Sequence, residues 1–369
     1  MRICCVIASL GSGGAERVMM ELCTGWIQRG YDVTLLTLSD GGDDFYRVPE
    51  GVARIALGLA GVSSSPMHAM RANVWRVASL RRALRDARPD AIVSFTDRTN
   101  VLTLLAARAL QVPVVVSERI DPRRHNPGAA WRALRRATYP GAAAVVVQTE
   151  RVREWAEGVV ARERVAVIPN PQRAIAGTPA PVGTRAPRMV AMGRLVPQKG
   201  FDTLLRAFAH VSDSFPEWRL DIFGEGPDRD ALEALATSLA LGDRVLFAGR
   251  TVQGDAILRE ASVFVLSSRY EGFPNVLLEA MTAGCACVAT DCDAGPAELL
   301  SPNTAGLLVP VDDVGALAES LRRVCSDTAL RERLSVAAKE ASARYRPEVV
   351  LDQWDSVLQR VTDARAVAA

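Results

Sequence analysis

Short runs of β-branched and aliphatic residues alternate with longer segments of helical period along the whole chain. Ile3–Ala8, Val33–Leu38, Ala91–Ser94, Val112–Val116 and Ala143–Val147 read as strands in the first half. Met189–Gly193, Leu220–Gly224, Val245–Ala248, Val263–Ser267, Cys287–Thr290 and Leu307–Val309 do so in the second. Between them lie helical patterns such as Glu16–Arg29, Phe201–Phe215, Arg229–Leu239 and Asp313–Cys325. Several strands are apolar at every position, as parallel strands covered by helices on both faces must be. The alternation predicts an α/β protein with two doubly wound, Rossmann-like domains facing across a cleft.

The alternation breaks once. Pro169-Asn170-Pro171 is followed by Gly177-Thr178-Pro179-Ala180-Pro181-Val182-Gly183 and Pro187, with no hydrophobic period. This predicts domains at 1–170 and 188–346 with a linker at 171–187. The last segment, 347–369, carries Val350, Trp354, Val357, Leu358 and Val361 on one helical face and needs a surface to dock on, with the first domain as the candidate.

Composition narrows the class. With 369 residues, 49% hydrophobic and 23% charged, the chain has ample core, and disorder is excluded. The net charge of +2 conceals an asymmetry: Met1–Asn170 holds 23 Arg+Lys against 16 Asp+Glu, the remainder 21 against 26. The seven cysteines lie largely in apolar runs and read as buried reduced thiols. Cys285, Cys287 and Cys292 lack a nearby histidine or second pair and do not read as a zinc site. No run approaches the ~18 apolar residues of a membrane span. Ile3–Ala8 is followed by a glycine loop where a cleavage site would stand, so a first strand and a cytoplasmic protein are expected, one that touches a membrane peripherally at most.

Three loops carry chemistry. Gly11-Ser12-Gly13-Gly14-Ala15-Glu16 joins the first strand to the first helix, but Glu16 replaces the third glycine of the dinucleotide fingerprint and opposes a pyrophosphate. Gly14 can still approach a single phosphate; a plain tight turn is the alternative. Gly193-Arg194-Leu195-Val196-Pro197-Gln198-Lys199-Gly200 places two cations at a helix start, the outline of a diphosphate site. Only Lys199 and Lys339 among 44 basic residues are lysines, so a lysine here is informative. Third, Ser267-Ser268-Arg269-Tyr270-Glu271-Gly272-Phe273-Pro274-Asn275-Val276 leads into a helix that carries Glu279. Glu271 and Glu279 suit sugar hydroxyls, and the backbone amides near Phe273–Val276 suit phosphates.

Glu271 and Glu279 form the E-x7-E pattern, and with the other two loops and Ala289-Thr290-Asp291-Cys292 the chain resembles glycosyltransferase family 4 of the GT-B fold. Ser117-Glu118-Arg119-Ile120-Asp121-Pro122 resembles the members that extend lipid-linked oligosaccharides, capsules or lipopolysaccharides. The resemblance implies a retaining transferase that moves a sugar from a nucleotide sugar, with a UDP-sugar as the expected donor, to a glycan acceptor on a polyprenyl-pyrophosphate carrier. It assigns Arg194 and Lys199 to the donor diphosphate and leaving group, and Gly14 to the distal phosphate. Glu271 goes to the sugar hydroxyls, Glu279 to the ribose, and Gly272, Phe273, Pro274, Asn275 and Val276 to backbone contacts. Arg250 falls where the family holds the base edge. Where many members carry a histidine after the strand ending near Ser117, this chain has Arg119, assigned to the reacting face as the residue that orients an acceptor or phosphate; His125 is the other candidate.

Asp291-Cys292-Asp293 and Asp228-Arg229-Asp230 both fit D-x-D, but Arg194 and Lys199 already supply a metal's charge, so no metal or other cofactor is expected. Arg71, Arg76, Arg81, Arg82, Arg85 and Arg88, then Arg123, Arg124, Arg132, Arg135 and Arg136, are either solvated helix faces or a surface for anionic lipid or the carrier pyrophosphate. Nucleic acid is not expected, because no aromatic residues interleave these cations. A nucleotide-sugar epimerase and a non-catalytic nucleotide-sugar-binding subunit are the rival readings.

Overall fold

The computed structural model describes all residues except Asp43, 62–65, Ala174, Ala176, Ala294 and Ala369, and the backbone alone of Pro66, Pro302, Asn303 and 366–368. It divides into one unit of Met1–Pro171 with Pro347–Ala369 and a second of Gln172–Arg346.

In the first unit β1 (Arg2–Ile7), β2 (Asp32–Thr37), β3 (Ala53–Ala56), β4 (Ala91–Phe95), β5 (Val114–Ser117), β6 (Ala144–Val147) and β7 (Val165–Val167) form a parallel sheet in the order β3-β2-β1-β4-β5-β6-β7. The helices are α1 (Gly14–Gln28), α2 (Pro66–Ala87), α3 (Asp97–Ala107), α4 (Ala129–Thr138) and α5 (Glu150–Glu157). Strands β1, β4, β5 and β6 are buried at almost every position, the physical cause of their unbroken apolar runs. Two strands escape the sequence pattern. Ala53–Ala56 and Val165–Val167 are short edge strands, and the first contains Arg54 and only one large apolar residue.

The second unit holds β8 (Arg188–Met192), β9 (Arg219–Phe223), β10 (Val245–Gly249), β11 (Val263–Leu266), β12 (Ala286–Thr290) and β13 (Leu307–Val309), ordered β10-β9-β8-β11-β12-β13 and parallel. Its helices are α6 (Phe201–Ser212), α7 (Arg229–Ser238), α8 (Gly254–Glu260), α9 (Asn275–Thr282), α10 (Pro296–Thr304), α11 (Val314–Ser326) and α12 (Thr328–Ser342). The winding reverses between β1 and β4 in one sheet and between β8 and β11 in the other, where doubly wound sheets bind ligands at their carboxyl ends.

The terminal helix α13 (Pro347–Ala368) packs in the first unit: Val350, Trp354, Val357, Leu358 and Val361 join the core that contains Trp26 and Phe95. The Trp26 and Trp354 rings meet edge-on at 6.1 Å, and Trp26 Nε1 donates to Asp355 Oδ1 at 3.0 Å.

The stretch read as a linker is not a free tether. Gln172 N donates to Tyr345 O at 2.7 Å, Val182 is buried, and Arg185 donates to the carbonyls of Ala180, Ala261 and Ala283 at 2.8–3.0 Å. An arginine and backbone groups make these contacts, so no hydrophobic period announces them. Ala174 and Ala176, within that stretch, lie outside the described residues.

All seven cysteines are buried and free, as read from the sequence. No helix among the described residues is long and apolar enough to cross a membrane.

Candidate donor-binding site

The loop after β8 and the loop after β11 come together at the switch point of the second sheet. Pro197–Lys199 forms one 3-10 turn, and Gly200 ends it in the left-handed region at φ 61°. A Cβ on Gly200 would stand 2.1 Å from Ser267 O, so only glycine lets the two loops approach. Ser267 Oγ donates to Lys199 O at 2.9 Å, Gln198 Nε2 to Tyr270 O at 2.9 Å, and Arg269 N to Gln198 O at 2.8 Å. The Arg269 guanidinium donates to Pro197 O at 2.5 Å and pairs with Asp202 and Asp312, both at 2.8 Å. Those two carboxylates hold Arg269 well above the usual guanidinium range. Residues 267–270 thus fasten the turn that carries Lys199. Sequence reading quoted Ser268 and Arg269 within the motif and gave neither a role.

Lys199 Nζ lies 2.6 Å from Glu271 Oε1, which also accepts from Ser268 Oγ at 2.6 Å. Glu271 is 6% exposed, so its charge is compensated by a lysine and a hydroxyl rather than by bulk water. Thr290 Oγ1 donates to Ser268 O at 2.5 Å, tying the end of β12 to the same loop. Arg194, in contrast, is exposed, and its guanidinium makes no hydrogen bond or ion pair among the described residues. Two predicted cations therefore differ: one is sheathed and paired, the other free.

Pro274 caps α9, and its carbonyl accepts from the amides of Leu277 and Leu278 at 3.0 and 3.2 Å. Asn275 N is used by Phe273 O at 2.9 Å. The amides of Gly272, Phe273 and Val276 make no hydrogen bond among the described residues and remain for a ligand. The Phe273 ring is buried and meets Tyr345 edge-on, so only its backbone is available. Glu279 lies half-buried in α9, one turn beyond these amides. Arg250 is exposed just after β10, on the adjoining strand end beyond β9.

Gly14 and Arg119 belong to the first unit. Gly14 is exposed as the first residue of α1. Arg119 is tied down: Nη1 donates to Ser117 Oγ at 3.3 Å, Nη2 to Asn170 Oδ1, and the guanidinium lies 4.2 Å over the Phe95 ring. Burial, then the charge of Arg17, lowers it to about 9, which leaves it charged at neutral pH. His125 faces Asp97 instead, Nε2 to Oδ2 at 3.5 Å. Beside Arg119, Glu118 is buried with Tyr139 donating to it at 2.5 Å and Arg135 at 3.5 Å. No group of three or more His, Cys, Asp or Glu among the described residues is arranged to hold a metal ion.

Both halves match known families. Residues 13–171 match the glycosyl transferase 4-like domain, and residues 180–341 match the glycosyl transferases group 1. An exopolysaccharide phosphotransferase of Streptomyces coelicolor is 34% identical over 83% of this chain, which spans about a third (33%) of that relative's length. The GalNAc-alpha-(1->4)-GalNAc-alpha-(1->3)-diNAcBac-PP-undecaprenol alpha-1,4-N-acetyl-D-galactosaminyltransferase of Campylobacter jejuni is 29% identical, over 99% of this chain and 100% of its own. Among solved structures, Anabaena HepE in complex with UDP and glucose has the same fold, with a TM-score of 0.81, 19% identity and coverage of 97% and 99%. The chain belongs to the GT-B glycosyltransferases, with a 4-like domain followed by a group 1 domain.

Proposed function

We propose that this glycosyltransferase moves a sugar, with retention at the anomeric carbon, from a UDP-sugar to a glycan on a polyprenyl-pyrophosphate carrier. The product is a bacterial surface polysaccharide or glycoconjugate, made at the cytoplasmic face of the membrane. The observation that carries the donor half is the pairing of Lys199 with Glu271, which joins the loop that carries Arg194 to the loop whose Gly272, Phe273 and Val276 amides have no partner among the described residues. Together these two loops supply positive charge and N–H donors suited to a diphosphate, and a carboxylate suited to hydroxyls. The undecaprenol named for the Campylobacter relative supports the acceptor, and the UDP in the HepE complex supports the donor.

In this reading the diphosphate oxygens displace the Glu271 contact as the main partner of Lys199, and Arg194 closes on the same group. As the bond from the anomeric carbon to the phosphate oxygen breaks, its electron pair goes to the diphosphate, where Arg194, Lys199 and the amides stabilise it. The acceptor hydroxyl attacks from the same face and gives its proton to the departing phosphate oxygen. Glu271 then holds sugar hydroxyls, Glu279 the ribose, Arg250 the base edge and Gly14 the distal phosphate, while Arg119 orients the acceptor. These cations make a metal unnecessary.

Calorimetric titration against a panel of nucleotide sugars tests the reading. Binding of one UDP-sugar, undiminished by chelator and followed by transfer to a lipid-linked acceptor with an α-anomeric product from an α-donor, supports it. Absence of nucleotide-sugar binding removes it.

A further inference from the structure

The carboxyl ends of four neighbouring strands meet at one guanidinium. Phe95 ends β4, Ser117 ends β5, Gln148 follows β6 and Asn170 lies just beyond β7. Arg119 sits among them, over the Phe95 ring, with Nη1 on Ser117 Oγ and Nη2 on Asn170 Oδ1. Gln148 Nε2 donates to the same Asn170 Oδ1 at 2.6 Å, and both amide side chains are buried. Two donors converge on that oxygen, so the oxygen and not the nitrogen of the Asn170 amide faces Arg119. The hydrogen-bond partners of Arg119 and the ring beneath it are all neutral, and no carboxylate pairs with it among the described residues. Glu118 is turned to Tyr139 and Arg135 instead. Glu21, which acts on Arg119 through space, is paired with Arg17 at 2.8 Å. Arg119 Nε is buried and has no hydrogen-bond partner among the described residues.

A desolvated guanidinium is costly to hold, and the common remedy is a carboxylate, whose charge-assisted bond is about twice as strong as a neutral one. Aspartate has the shape of asparagine and would supply that remedy at position 170. The chain presents an amide oxygen there, and a second buried amide, Gln148, orients it. We propose that Asn170, oriented by Gln148, is a positioning residue that fixes Arg119 through a neutral contact, so that the guanidinium keeps its full charge for a phosphate oxygen of a substrate. The unpartnered Nε–H and the remaining Nη hydrogens are the donors that such an oxygen would meet. The inference deepens the proposed function by saying what Arg119 recognises and what holds it ready, and it rests on that reading for the substrates. Two of them carry such oxygens: the nucleotide sugar and the carrier diphosphate.

Initial transfer rates and thermal unfolding of Asn170→Asp, Asn170→Ala, Gln148→Leu and Arg119→Ala test this. Asn170→Asp keeps the contact and cancels the charge. It should unfold at or above the wild-type temperature, yet raise the KM of one substrate about tenfold or more, as Arg119→Ala does. Gln148→Leu leaves the charge but releases the Asn170 amide, and should raise the same KM about threefold. Asn170→Ala should unfold at a lower temperature than the wild type, and in combination with Arg119→Ala it should raise the KM no further than Arg119→Ala alone. A shift in the donor KM assigns the oxygen to the nucleotide sugar. A shift in the acceptor KM that vanishes when the glycan is carried on an uncharged alkyl chain assigns it to the carrier diphosphate. Wild-type KM values in Asn170→Asp or in Gln148→Leu, an acceptor shift that persists on the alkyl chain, or an Asn170→Asp protein that unfolds below Asn170→Ala would each overturn the inference. Absence of nucleotide-sugar binding, with Asn170→Asp still at or above the wild-type unfolding temperature, would count against the enzymatic reading and leave the uncompensated guanidinium standing.

Discussion

Lys199 Nζ and Glu271 Oε1, 72 residues apart in the chain, stand 2.6 Å apart across the switch point of the second sheet. Because Glu271 is the more deeply buried partner, the two substitutions are not symmetrical. Lys199→Ala strands a buried carboxylate with only Ser268 as donor and should cost about 1–3 kcal/mol of stability. Adding Glu271→Gln to that variant removes the stranded charge and should restore part of the loss. Turnover should recover in neither, falling on the order of 10²-fold or more. Thermal unfolding and transfer rates of the two single variants and the double variant check this cycle; additive stability losses would show that the ion pair is not the coupling.

Arg194 is the contrasting case. Its guanidinium has no partner among the described residues, so the fold does not depend on it. Arg194→Ala should leave unfolding within about 0.5 kcal/mol of the wild type. The transfer rate should nonetheless fall about 10²-fold, the usual scale for removing one charge stabiliser of a leaving group. Nucleotide titration beside chemical denaturation separates these effects, and a large stability loss without a rate defect would contradict the assignment.

Arg269 is a positioning residue, since it holds the Pro197 carbonyl and two carboxylates behind the lysine turn. Arg269→Ala should loosen that turn, raising the donor KM more than it lowers kcat. Arg269→Lys keeps one charge but not the fork that spans Pro197, Asp202 and Asp312, so it should rescue only part of the KM. A variant that loses stability while keeping the donor KM would reduce Arg269 to a purely structural contact.

The sequence carries the strands with unbroken apolar runs because those strands are buried on both faces, and it carries the E-x7-E and Gly193–Gly200 loops because each joins a strand to a helix start. It conveys edge strands poorly: Ala53–Ala56 is half exposed and Val165–Val167 has three residues, so neither needs a distinctive pattern. It also cannot say which cation is paired. Arg194 and Lys199 look equivalent in the chain, and their difference arises from Ser268 and Glu271 approaching from residues some seventy positions away. The folding of 172–187 onto the second unit is hidden for a related reason, because Arg185 makes those contacts with carbonyl groups that any sequence supplies.

Glu118 supplies a prediction in pH. Burial is the main cause that raises its carboxyl from an ordinary 4.5 to about 7, against the opposing Tyr139 hydrogen bond and Arg135. Between these values the folded chain holds a proton that the unfolded chain has released. The stabilisation is therefore complete below pH 4.5 and is lost as pH rises through about 7. At about 1.4 kcal/mol per pH unit, the loss from this group amounts to roughly 3 kcal/mol at most. Glu118→Gln keeps an acceptor for the Tyr139 hydroxyl but cannot titrate, and Arg135 retains the Trp155 ring at 4.8 Å. Denaturant unfolding at pH 5 and pH 8 should show the wild type losing stability relative to the glutamine variant as pH rises. A difference that stays constant between those pH values would mean that Glu118 is already ionised in the folded protein, with Tyr139 and Arg135 outweighing its burial.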